Sequence, residues 1–162
     1  ARGTGRARDE AESREGRERE YFRQAEGATE SFPGLCPLLT RLRQDGVPMA
    51  VASSGRLSKI RFSLSQAGMD SCFDILCSAT EVTEGKPAPD LFLLAAHRLG
   101  VDPADCAVIE DSVPGLQGAV AAGMRPLGFT SSHPAAMLRE AGAQSTFDDY
   151  SQLPDILWSQ RK

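Results

Sequence analysis

The sequence predicts an α/β fold: a parallel sheet with helices on both faces. Three observations carry this. Short continuous apolar runs such as Met49-Ala50-Val51-Ala52 and Cys106-Ala107-Val108-Ile109 recur along the chain. Between them, leucines and alanines fall at helical spacing. The runs lack the apolar–polar alternation of a half-solvated strand, so they read as strands buried on both faces and joined by helical crossovers.

Taken in order, Leu35, Leu38, Leu39 and Leu42 form one helical face, which Asp45-Gly46 stops. The run 49–52 is the first clear strand. Ile60, Leu64 and Ala67 mark a helix that Gly68 ends, and Phe73 to Leu76 reads as a short strand. Leu91, Leu94, Ala95 and Leu99 give the next helix, closed by Gly100. The run 106–109 is the second clear strand. Leu116, Ala119, Val120 and Gly123 form a helix face, Pro126 to Phe129 a third strand, and residues 134–141 a further helix.

Composition narrows the class. The chain has 162 residues, enough for one domain with a buried core. Its 18 Lys+Arg against 22 Asp+Glu leave a net charge of −4, which argues against a nucleic-acid binder. No apolar run approaches the roughly 18 residues of a membrane span, and no signal-peptide core is visible. Cys36, Cys72, Cys77 and Cys106 lack metal-site or CxxC spacing, so they read as reduced thiols in a cytoplasmic protein. The chain starts at Ala1 rather than Met, an indication of residues missing upstream.

Composition shifts near residue 31. From Ala1 to Glu20 nothing apolar is larger than alanine, and Arg and Glu alternate over 14–20. Such a stretch cannot bury enough surface to order itself and is expected to be disordered or a solvated helix. The division is therefore a polar segment, 1–31, and a core domain, 32–162.

Polar groups at the C-terminal ends of the strands are where function is expected in an open α/β sheet. Ser53-Ser54-Gly55 follows the strand 49–52 and precedes a helix, so hydroxyls and free amides meet a positive dipole end, suited to an anion. Ser54 also reads as an ordinary helix cap. In Gly85-Lys86-Pro87-Ala88-Pro89-Asp90, two prolines stiffen the loop, Asp90 is placed to cap the next helix, and Lys86 is held as a point charge that suits phosphate. A lone lysine also reads as solvent-facing. Glu110-Asp111-Ser112 follows the strand 106–109, and adjacent carboxylates there suit Mg²⁺. A turn with an Asx cap is the plainer reading.

In this order, "VASSG", "GKPAPD" and "VIEDSVPGLQGAVAAGM" resemble motifs II, III and IV of the haloacid dehalogenase (HAD) superfamily, in its phosphatase and β-phosphoglucomutase-like branch. The resemblance runs from about Phe32 to Thr130. It implies a Rossmann-like core and a small phosphorylated metabolite as partner. It implies that Ser53, with Ser54 and Gly55, binds the phosphoryl group, that Lys86 steadies the same charge and the nucleophile, and that Asp111 with Glu110 holds Mg²⁺.

The chain departs from the family at motif I, DxDG[TV], whose first aspartate is the nucleophile and whose second is the general acid/base. No Asp-x-Asp precedes Ser53, and no apolar strand could carry one. Most of the helical cap between motifs I and II is also missing, and residues 14–26 resemble at best its last helix. The expectation is a fragment of an Mg²⁺-dependent phosphohydrolase, phosphatase or sugar-phosphate mutase, that is inactive by itself for want of the nucleophile. The alternative is a catalytically inactive relative that serves as a binding or interaction module. A phospho-receiver domain fits poorly, because its acidic pair precedes its lysine. A dinucleotide-binding fold fits poorly too, because Gly115, Gly118 and Gly123 lack GxGxxG spacing. His97 and His133 receive no role, and neither substrate nor oligomeric state can be read. Without the motif I strand, the strands 49–52 and 106–109 are expected to leave an open slot or to pair directly, since residues 1–20 offer no apolar side chains to fill it.

Overall fold

The computed structural model describes residues 4–12, 15–19 and 34–159, the first two segments as backbone only. The core runs α1 (Leu35–Gln44), β3 (Ala50–Ser53), α2 (Leu57–Gln66), β4 (Ile75–Ser78), α3 (Asp90–Leu99), β5 (Ala107–Glu110), α4 (Val113–Ala121), β6 (Arg125–Phe129), α5 (Ala135–Glu140), β7 (Ser145–Phe147) and α6 (Leu153–Ser159). Upstream, β1 (Thr4–Glu12) and β2 (Glu15–Arg19) form an antiparallel hairpin. All core strand pairs are parallel: β3 with β4, β5 with β6, and β6 with β7.

The apolar strands are buried on both sides, and each side has its own helices. Val51, Ile109, Leu127, Phe129 and Phe147 point to one face, with Leu38, Leu39 and Leu42 of α1, Ile60 and Leu64 of α2, and Leu153 and Leu157 of α6. Ala50, Ala52, Cys77 and Val108 point to the other, against Leu91, Phe92, Ala95 and Ala96 of α3 and Ala119 of α4. Large side chains fill the first face. Small ones on the second bring α3 and α4 close to the strand ends, and that closeness shapes the site. No helix of the described residues is long and apolar enough to cross a membrane.

Three expectations change. Residues 4–12 and 15–19, expected to be disordered or helical, are strands. A hairpin pairs its backbone with itself, so it needs no apolar side chains to satisfy its amides. The Cα atoms of β1 and β2 come within 8 Å of both β3 and β5, so this backbone lies alongside the place expected to be an open slot. Among the described residues no ladder joins β3 to β5, or either of them to the hairpin. The cap-helix reading of 14–26 falls on a strand at Glu15–Arg19 and otherwise lies outside the described residues. Finally, β7 and α6 were not anticipated. β7 has only three residues, and it is held by the aromatic cluster of Phe129, Phe147 and Tyr150, with ring centroids 4.7–5.3 Å apart.

All four cysteines are free thiols. Burial pushes the Cys77 thiol up to about 12 and the Cys72 thiol up to about 11. Cys36 is exposed. Iodoacetamide at pH 8 is therefore expected to modify Cys36 first, and Cys77 only after denaturation. Equal rates at the two positions in the folded protein, read by peptide mass mapping, would contradict this packing.

Candidate active site

β3 and β5 end on the same edge of the core, at Ser53 and Glu110. The loop that carries Lys86 reaches both ends. Lys86 Nζ donates to the Ala52 carbonyl at 3.1 Å and to Glu110 Oε2 in a short contact. The Lys86 side chain is 5% exposed and that of Glu110 0%. A buried ammonium is tolerated only when paired and hydrogen-bonded, and here both conditions hold. Its charge also lies 5.2 Å from the centre of the Phe92 ring on α3. Lys86 thus spans the gap between β3 and β5, and the solvent-facing reading of this lysine is set aside.

The loop is braced rather than capped. The Ala88 amide donates to the Gly85 carbonyl at 3.0 Å, and the Lys86–Pro87 peptide is cis. Asp90, expected to cap α3, is instead its first residue, with Pro89 at the cap position and no side-chain cap bond. Gly118 of α4 permits the approach from the far side. A Cβ there would lie 3.1 Å from the Ala88 carbonyl oxygen and 3.1 Å from Phe92 Cε2.

The acidic pair divides its work. Glu110 Oε2 faces Lys86, and Oε1 accepts from Ser112 Oγ at 3.0 Å. Ser112 is also the N-cap of α4, accepting from the Gly115 amide at 3.1 Å. Asp111, 2% exposed, accepts at Oδ2 from Ser132 Oγ at 3.1 Å and from Ser131 Oγ at 3.3 Å. The plain Asx-cap reading therefore does not describe Asp111, because Ser112 is the cap. The loop after β6, which carries Ser131, Ser132 and His133, leans over this carboxylate. Sequence reasoning missed both serines. Their signal was position alone: they follow a buried strand at its C-terminal end.

On the β3 side, Ser53 Oγ accepts from the Gly55 amide at 3.0 Å. That bond leaves the Ser53 hydroxyl hydrogen available to donate. Ser54 is exposed and does not cap α2: the cap position belongs to Arg56, with no side-chain bond. Ser78, at the end of β4, donates from Oγ to the Gly55 carbonyl at 2.6 Å. Its amide is bonded to Glu81 Oε2 at 3.0 Å, and Glu81 pairs with Arg98 at 2.5 Å. The Arg98 guanidinium holds the Glu81 carboxyl below the usual carboxylate range, and the Ser78 amide adds to this.

Mg²⁺ takes near-octahedral oxygen ligation with few protein carboxylates. Asp111 fits a cation ligand. Glu110 is bonded at one oxygen to Lys86 and at the other to Ser112, which turns it toward the ammonium. Among the described residues no three His, Cys, Asp or Glu side chains converge as a metal cluster. The described residues therefore supply one corner of an Mg²⁺ site, not a whole one.

Residues 3–123 match the family model described as hydrolase, haloacid dehalogenase-like hydrolase. The chain belongs to the haloacid dehalogenase-like hydrolase family. It is 45% identical over 102 residues to a bifunctional riboflavin kinase/FMN phosphatase of Arabidopsis thaliana, covering 62% of this chain and 27% of that protein. It is 38% identical over 104 residues to the β-phosphoglucomutase of Bacillus subtilis, covering 64% of this chain and 45% of the enzyme. The chain thus spans less than half of either relative. Among solved structures, a HAD family hydrolase from Deinococcus radiodurans R1 with bound phosphate and sodium superposes with a TM-score of 0.73 and 34% identity, over 78% of this chain and 58% of that one.

Proposed function

We propose that this chain forms the phosphate-gripping wall of a HAD-type phosphohydrolase that acts on a small phosphorylated metabolite, as a phosphatase or a sugar-phosphate mutase. One observation carries the reading: a buried ammonium, Lys86, held between the ends of β3 and β5 next to Ser53. A fixed positive charge bonded to the carbonyl of the residue before a hydroxyl able to donate is suited to a phosphoryl group. In this reading Ser53 donates to a phosphoryl oxygen, with Ser54 and Gly55 completing the loop. Lys86 supplies the charge, Glu110 orients Lys86, and Asp111 is the residue through which Mg²⁺ would be held. Family members are generally Mg²⁺-dependent.

A second reading is a relative that binds a phosphorylated ligand without turning it over, and one feature of the sequence bears on both readings. It holds no Asp-x-Asp, so the covalent route through an aspartyl-phosphate has no nucleophile in these 162 residues. The polypeptide is therefore expected to bind inorganic phosphate in the presence of Mg²⁺ and not to release nitrophenol from p-nitrophenyl phosphate. Titration calorimetry should show Ser53→Ala weakening phosphate roughly tenfold, the order of one hydrogen bond to a charged group, with an unchanged melting temperature. Equal affinity in the variant would refute the anion site. Turnover that Lys86→Ala abolishes would refute the inactivity.

A further inference from the structure

We propose that Ser78 is a positioning residue for the anion-gripping loop. Its buried hydroxyl, donated to the Gly55 carbonyl, sets the direction in which Ser53 presents its own. The consequence for phosphate rests on the function proposed above, while the placement of the loop does not.

The loop from Ser53 to Gly55 is made of small residues and needs an external tether. The helix that follows does not provide one, because the cap position of α2 is Arg56 and carries no side-chain bond. Gly55 is instead held from two sides. Its amide donates to Ser53 Oγ at 3.0 Å, and its carbonyl accepts from Ser78 Oγ at 2.6 Å. The parallel register of β3 and β4 places Ser53 opposite Ser78, so the hydroxyl crosses only one strand spacing.

Ser78 is itself fixed. It is fully buried. Its Oγ accepts from the Thr80 amide at 3.1 Å and lies 2.9 Å from Thr80 Oγ1. Its amide is bonded to Glu81, which forms a reciprocal capping box with it. Arg98 on α3 locks Glu81 and also donates to the Leu76 carbonyl at 3.2 Å. The turn Ala79–Glu81 opens the segment that leads to Lys86. One hydroxyl therefore serves the loop of Ser53 and the start of the segment that carries Lys86. An alanine would fill nearly the same space while releasing the Gly55 carbonyl, so the hydrogen bond can be tested apart from the packing.

The test uses the 162-residue protein with Ser78→Ala and Ser78→Cys, the second keeping a side chain of similar shape with a weak donor. Amide hydrogen exchange at residues 54–56 is followed by NMR, and inorganic phosphate with Mg²⁺ is titrated by calorimetry. Exchange at 54–56 is expected to rise roughly tenfold and the phosphate dissociation constant roughly three- to tenfold, the range of one lost neutral hydrogen bond. Amides of α3 and β5 should be unchanged. Unchanged exchange at 54–56 would overturn the proposal. So would a uniform rise along the chain, or failure of both variants to fold, since either would make Ser78 a residue of general stability. If the unmodified protein does not bind phosphate, the functional reading fails, and the exchange data alone decide the role of Ser78.

Discussion

Replacing Lys86 with methionine is expected to cost the fold about 3–5 kcal/mol, because it removes the ammonium bonded to a fully buried carboxylate. Glu110 is 0% exposed and is held by Lys86 on one oxygen and Ser112 on the other. Methionine keeps most of the apolar stem of lysine and removes only the ammonium, so the loss isolates the charge rather than the packing. Neutralising both partners separates the two effects. In Lys86→Met/Glu110→Gln no charge is stranded, and most of the lost stability should return. Urea unfolding of the two single variants and the double variant measures this directly. A Lys86→Met variant within about 1 kcal/mol of the parent, the usual worth of an exposed ion pair, would show that the pair is solvated in solution.

That pairing also marks where sequence reasoning stopped. The strands β3 to β6 were legible because each falls in a short apolar run, and their functional ends followed from the rule that open sheets act at the C-terminal edge. β3, β4 and β5 begin one or two residues later than expected and β6 one residue earlier; the shifts of β3 and β5 put Ser53 and Glu110 at the last strand position rather than after it. The partners of Lys86 were not legible. Glu110 lies 24 residues away and Ala52 lies 34 away, and nothing in spacing joins them. Glu110 and Asp111 look alike as adjacent acids, yet folding gives one a lysine and the other two serines. Ser54 and Asp90 show the converse. Both have the composition of a cap, and neither caps, because loop geometry assigns those positions to Arg56 and Pro89. The polar hairpin was misjudged for a related reason: composition reports side-chain burial and says little of a backbone that can pair with itself.

Gly115→Ala is expected to destabilise the protein by about 3 kcal/mol or more, although glycine to alanine inside a helix ordinarily gains about 0.5–1 kcal/mol. The reason is steric and local. A Cβ at 115 would lie 2.1 Å from Glu110 Cδ and 2.2 Å from Oε1. Glu110 cannot simply swing aside, since Lys86 and Ser112 fix its carboxylate and its surroundings are closed to solvent. Either α4 shifts off the strand ends, opening the contact of Gly118 with Ala88 and Phe92, or Glu110 leaves and strands Lys86. Both routes cost more than the helix gains. Gly118→Ala, with contacts at 3.1 Å, should cost closer to about 1 kcal/mol, because Phe92 can give by a few tenths of an ångström. The discriminating measurement repeats Gly115→Ala in a Glu110→Ala background, where the obstructing carboxylate is gone. There the substitution should be neutral or stabilising by the ordinary helix preference of alanine. An equal loss in both backgrounds would place the cost in the backbone of α4 and not in the carboxylate that Lys86 holds against it.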